Sequence, residues 1–164
     1  MEKQMPEEGK TVAESATEMV QIVLPNDTNM LGNLLGGTLM HWIDIVGAIA
    51  ANRHSRKPIV TAAMEGLEFL VPVKLGFLVI LKARMNYAGK SSMEVGVEVY
   101  SENGLTGERV HTSSAILTYV AIDFNGKPVP VPKLVLTTDE ERRRSQEALE
   151  RKQRRLERLG RDRA

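Results

Sequence analysis

The chain has 164 residues, 42% of them apolar, and its 22 basic and 21 acidic residues leave a net charge of +1. That length bounds it to one domain with tails, large enough to bury a core, and the charge balance gives no electrostatic case for a nucleic acid or an acidic membrane as partner. The absence of cysteine excludes disulfides, thiolate nucleophiles and Cys-bearing zinc sites, and it fits a reducing, cytoplasmic setting.

Residues 1–14 mix both charges without an apolar run, which predicts a flexible leader and excludes a secretory signal. No later apolar run reaches the roughly 20 residues of a membrane span. "TEMVQIVLP" reads as a strand closed by Pro25, and "NDTNMLGN" as a turn-rich connection. Gly36 and Gly37 then introduce an apolar helix, placed from about Thr38 to Arg53 and roughly 25 Å long. Arg53 and His54 suit the negative end of its dipole, and Pro58 blocks its continuation.

From Ile59 to Ile122 the pattern is that of strands. "FLVILKARMNY" sets Phe77, Val79, Leu81, Ala83, Met85 and Tyr87 on one face and Lys82, Arg84 and Asn86 on the other. "SSMEVGVEVYS" answers with Met93, Val95, Val97 and Val99 inward, and a hairpin through "AGK" predicts Arg84 opposite Glu94. "GERVHTSSAILTYVAID" is a further long strand, after which "FNGKPVPVP" leads away from the sheet.

A helix apolar on most sides is not covered by one flat sheet face. The expectation is therefore an α+β domain over residues 15–137, a central helix wrapped by a curved antiparallel sheet of about five strands, assembled at least as a dimer. Residues 138–164 form a charged C-terminal helix and tail. Thr138 and Asp139 start it, and Glu140–Arg144, Glu147–Arg151 and Glu150–Arg154 are ion pairs one turn apart. It reads as a solvated helix laid on the domain or on an assembly mate.

Chemistry concentrates in the first helix. Gly37, Met40, His41, Asp44, Gly47, Ala48 and Ala51 share one stripe, whose lower part is small enough to let something approach closely. The opposite stripe, Leu39, Ile43, Val46 and Ala50, reads as core. Asp44 lies between Ile43 and Ile45, where a charge is costly unless satisfied. It is either a carboxylate held by hydrogen bonds or a functional acid. Gly36-Gly37 is a tight turn, or a helix start whose free N–H groups meet an anion or a carbonyl gaining negative charge. Asn29 in isolation reads as an Asx-turn residue. Together they supply an electrophile holder and a base able to activate water. His41 is one turn before Asp44, His54 at the helix end and His111 in a strand; no metal site is expected from them. No GxSxG elbow, P-loop or dinucleotide fingerprint is present.

The strings "NMLGNLLGGTLMHWID", "ANRH", "IVTAAMEGLEFLVPVKLG" and "GKSSMEV" closely resemble the hot-dog-fold acyl-CoA thioesterases over roughly Glu18 to Thr138. The resemblance implies hydrolysis of a fatty acyl-CoA, with no cofactor beyond the coenzyme A of the substrate. It implies Asp44 as general base on water or as a nucleophile forming an anhydride, the N–H groups around Gly37 on the thioester oxygen, and Asn29 orienting the carbonyl or the water. It implies Gly36, Arg53, His54, Lys90, Ser91 and Ser92 as substrate and coenzyme A contacts. The acid and the asparagine would come from different subunits of a homodimer, the minimal active unit, with a hexamer of three dimers expected. Where many relatives carry a glutamate after the aspartate, this chain has Ile45. Two other functions stay open: an acyl-CoA-binding regulator, and a dehydratase of 3-hydroxyacyl thioesters, for which His41 is the only candidate.

Overall fold

A computed structural model describes residues 9–162. In chain order they form β1 (Lys10–Thr11), α1 (Val12–Ser15), β2 (Thr17–Ile22), α2 (Gly36–Ser55), β3 (Ile59–Glu65), β4 (Leu78–Ala88), β5 (Ser92–Glu102), β6 (Arg109–Ala121), β7 (Leu134–Val135) and α3 (Asp139–Asp162). The main sheet has the order β2-β4-β5-β6-β3, every neighbouring pair antiparallel. None of the described helices is long and apolar enough to cross a membrane.

The alternation in β4, β5 and β6 sends one set of side chains toward α2. Val79, Leu81, Ala83 and Met85, then Met93, Val95, Val97 and Val99, then Ala115, Leu117, Tyr119 and Ala121 are all buried. They pack with Leu39, Trp42, Ile43, Val46, Ala50 and Ala51 of α2 in one core. Each fully buried aliphatic side chain contributes about 1.5–3 kcal/mol, so the strand alternation and the helix stripe fix each other. The helix exceeds the expected limits by two residues at each end. It stops at Arg56, whose φ of 53° is left-handed and whose N–H reaches Asn52 O at 2.6 Å.

Several sequence expectations are corrected. Arg84 pairs with Gly96 rather than Glu94, because the hairpin closes with Ala88 opposite Met93 and so turns later than "AGK"; the β4–β5 register also shifts by one residue between Met85 and Tyr87. This bulge places Tyr87 opposite Glu94 on the outer face, not with Met85 on the inner one. "FNGKPVPVP" does not leave the sheet: Val129 N–H bonds Ala121 O at 3.0 Å, Val131 N–H bonds Lys90 O at 2.8 Å, and β7 pairs with β1. Of the leader, residues 1–8 lie outside the described residues. Lys10 and Thr11 form β1, and Val12 in α1 is buried.

The outer face of the sheet carries α3. Thr138 Oγ1 accepts the Glu141 N–H at 3.1 Å, and Glu141 Oε2 accepts the Thr137 N–H at 2.7 Å, so the start of this helix is capped. Glu140–Arg144 forms as expected. Arg151 does not pair along the helix with Glu147. Its Nε and Nη2 donate to the two carboxylate oxygens of Glu94, each at 2.8 Å, and Asn86 Nδ2 donates to Glu94 Oε2 at 2.9 Å. Arg155 Nη1 reaches Glu65 at 3.3 Å and Thr118 at 3.2 Å. The charged helix is therefore laid on its own domain.

Candidate active site

Asp44 sits at the edge of the buried stripe of α2, half-buried between buried Ile43 and exposed Ile45. Two neutral hydroxyls hold it. Thr61 Oγ1 donates to Asp44 Oδ1 at 2.8 Å, and the Tyr119 hydroxyl lies 3.1 Å from Oδ1 and 2.9 Å from the Asp44 backbone O. No described residue donates to Oδ2. Burial first, and then the Asp44 charge, push the Tyr119 phenol pKa far up, so it stays a protonated donor. Thr61 is exposed, so the site opens at β3, the last strand of the sheet.

Both hydroxyls come from strands opposed in register: Thr61 and Tyr119 are direct partners across β3 and β6. The register shifts between Thr61 and Ala63, a bulge that aims Thr61 at the helix. Neither residue stood out from the sequence. The small-residue stripe on the helix was the available signal for Tyr119, since something bulky had to fill the space beside Gly47. Thr61 gave no signal beyond its place in the strand that follows the helix.

Asn29 forms the Asx turn: its Oδ1 accepts the N–H groups of Leu31 at 2.9 Å and Asn33 at 3.2 Å. That fixes the amide and turns its NH₂ toward solvent as a donor. At the start of α2 the first intrahelical bond is Leu39 N–H to Leu35 O at 3.1 Å, which leaves the N–H groups of Gly36, Gly37 and Thr38 without helical acceptors. A Cβ at Gly36 would lie 3.1 Å from the Phe69 ring, whereas nothing comes within 4 Å of one at Gly37. Gly37 is thus the position where a ligand atom can approach the helix start. Gly37 and Asp44 are seven residues apart, about 10 Å along the axis at 1.5 Å per residue. No hydrogen bond joins Asn29 or Gly37 to Asp44 within the chain. His41 is exposed and makes no hydrogen bond to a described residue.

The remaining expected contacts fall in two places. Lys90, Ser91 and Ser92 form the β4–β5 turn, closed by Gly89 N–H to Ser92 O at 2.8 Å, and Lys152 of α3 donates to Ser92 Oγ at 3.1 Å. Arg53 bonds Thr17 Oγ1 at 3.0 Å. His54 is fully buried, with Nε2 2.8 Å from Pro132 O, and burial lowers its pKa. The segment through Val131 and Pro132 lies between these two places, bonded to Lys90 on one side and to His54 on the other.

Comparison with known proteins gives the same reading of this architecture. Residues 31–108 match the family model described as Thioesterase superfamily. The uncharacterized acyl-CoA thioester hydrolase YkhA of Bacillus subtilis is 45% identical over 128 residues, 78% of this chain and 74% of that one. The acyl-CoA hydrolase of Staphylococcus aureus, solved in complex with butyryl coenzyme A, coenzyme A and coenzyme A disulfide, has a TM-score of 0.85 at 35% identity over 94% of each chain. The same enzyme has been solved as alanine variants of one asparagine, one aspartate and one threonine. A hexameric thioesterase from Yersinia pestis has a TM-score of 0.66 at 37% identity, over 70% of this chain and 93% of that one. A long helix wrapped by an antiparallel sheet is the hot-dog fold, and the chain belongs to the acyl-CoA thioester hydrolases of the thioesterase superfamily.

Proposed function

We propose that the protein hydrolyses fatty acyl-CoA to free fatty acid and coenzyme A at a site built from two protomers. The observation that carries this is the state of Asp44, a half-buried carboxylate on an apolar helix, tied at Oδ1 by two hydroxyls and open at Oδ2. Oδ2 takes a proton from a water whose oxygen attacks the thioester carbonyl. The carbonyl oxygen gains negative charge and is met by the Gly37 N–H and the Asn29 amide. The C–S bond then breaks, and the thiolate, whose thiol has an ordinary pKa of about 8.5, recovers the proton from Asp44. Water and carbonyl must meet within about 3–3.5 Å. The roughly 10 Å between Gly37 and Asp44 of one helix is too far for that, so the electrophile holder comes from a second copy.

Features of the single chain support such a homodimer. Met40, Ile45 and Val60 are 42%, 37% and 45% exposed around the site, and β3 has no strand partner on its outer side among the described residues. A groove of about 410 Å³ beside them is lined by Ile45, Ala48, Ile49 and Ile59, with Arg53 and Arg56 at its rim. The hexameric relative supports a further assembly of three dimers. Coenzyme A phosphates would bind at the β4–β5 turn, on the Lys90 cation and the hydroxyls of Ser91 and Ser92. The proposed location is the cytoplasm, consistent with a chain free of cysteine.

The test is release of free thiol from a panel of acyl-CoAs, with Asp44→Asn as control and single turnover in ¹⁸O-water. Water activation puts the label in the fatty acid and never in Asp44 on the first turnover, whereas label in Asp44 marks an anhydride opened at its aspartyl carbonyl. Binding without thiol release would make the protein a regulator.

A further inference from the structure

Resting on the reading of Asp44 as the base, we infer that Tyr119 is a positioning residue. With Thr61 it ties Oδ1, leaving Oδ2 as the proton-accepting oxygen, and Gly47 is the notch in α2 that admits its hydroxyl. Tyr119 is fully buried in β6, and its ring faces the helix. Its single hydroxyl proton is shared between Asp44 Oδ1 at 3.1 Å and Asp44 backbone O at 2.9 Å, so it fixes the carboxylate and the helix backbone that carries it. Thr61, its direct partner across the β3–β6 ladder, reaches the same oxygen. With both donors on Oδ1, the carboxylate cannot rotate to exchange its oxygens without breaking two bonds.

Gly47 explains why the hydroxyl arrives. A Cβ there would lie 2.4 Å from the Tyr119 hydroxyl oxygen and 3.2 Å from Cε2 and Cζ. The obstructing atom is the hydroxyl oxygen, held by a buried ring rather than at the end of a flexible side chain, so any side chain at this position would push the phenol off Asp44. The glycine sits in the middle of the helix, where it costs roughly 1 kcal/mol relative to alanine. Close approach of the phenol is what this glycine permits.

The experiment compares the full-length protein with Tyr119→Phe, Thr61→Val, the double variant, Gly47→Ala, and Gly47→Ala with Tyr119→Phe. Each is measured for kcat and KM on an acyl-CoA that the parent hydrolyses, and for melting temperature. Tyr119→Phe is expected to lower kcat about tenfold with KM within twofold and folding retained. Adding Thr61→Val should give a loss different from the product of the two single losses, because both donors act on one oxygen. Gly47→Ala should lower kcat and melting temperature together. Adding Tyr119→Phe should recover melting temperature without recovering kcat. Full kcat in Tyr119→Phe, or losses that multiply in the double variant, would overturn the positioning role. Unchanged behaviour of Gly47→Ala would overturn the notch. If the parent releases thiol from no acyl-CoA, the functional reading is what fails. The tie is then judged by the Asp44 carboxyl ¹³C resonance, which must move in Tyr119→Phe if the bond exists and stay if it does not.

Discussion

Two carboxylates lie against opposite faces of the same sheet, and their surroundings differ in kind. Glu94, on the outer face, is 5% exposed and meets a guanidinium with both oxygens and an amide besides. Its charge is cancelled and its lone pairs are occupied, which is what a buried charge needs to be tolerated. Asp44, on the inner face, meets only neutral hydroxyls, both on one oxygen. It is held in place without being neutralised, and it keeps an oxygen free for a proton. The first arrangement fastens α3 to the sheet; the second is suited to chemistry.

Substitutions at the two acids should separate these roles. Asp44→Asn keeps the shape and removes the base. It is expected to lower kcat by about 10²–10⁴-fold with an unchanged melting temperature, read by thiol release and thermal denaturation. Arg151→Met should do the reverse: Glu94 is left as an uncompensated buried charge, destabilising the fold by about 3–5 kcal/mol in urea denaturation, while the folded fraction keeps its kcat. Replacing both partners with apolar residues, Glu94→Leu with Arg151→Met, should restore most of that stability. If the double variant is as unstable as the single one, the pair contributes more than mutual cancellation.

Smaller effects sharpen the contrast. Thr61→Val removes one of two donors from Oδ1 and should cost about tenfold in kcat with little loss of stability. His54 supplies a test by pH. It is buried near neither acid, and burial lowers its pKa below the usual 6.5. The unfolded chain therefore binds the proton more readily, so the contribution to stability is complete above pH 6.5. It is lost as pH falls toward the folded value, by up to about 1.4 kcal/mol per pH unit. Melting temperature measured from pH 7.5 to 5 should fall in the parent and fall less in His54→Gln, whose amide can still donate to Pro132 O.

Much of this architecture was readable from the chain. The stripe of Leu39, Ile43, Val46 and Ala50, the alternation from Val79 to Met85, and the oddity of Asp44 between Ile43 and Ile45 are local patterns, each set by helix or strand period. The Asx turn of Asn29 is equally local, the N–H donors to its Oδ1 lying two and four residues on. What the chain did not reveal lies at bulges and long-range contacts. One extra residue near Asn86 moved Tyr87 to the outer face, and a turn placed later than "AGK" took Arg84 away from Glu94. Arg151 satisfied every rule for pairing with Glu147, yet a more buried partner 57 residues away won it.

By itself the sequence determined one long apolar helix, a sheet to wrap it and an acid that such a helix must accommodate, because periodicity and desolvation act within a few residues. Only the tertiary structure decided what holds that acid. Thr61 is 17 residues away and Tyr119 is 75, and which hydroxyl reaches which oxygen depends on strand register, on the bulge after Thr61 and on the absence of a side chain at Gly47. A one-residue slip would turn each of those side chains to the other face of the sheet, so the site exists only once the whole ladder has formed.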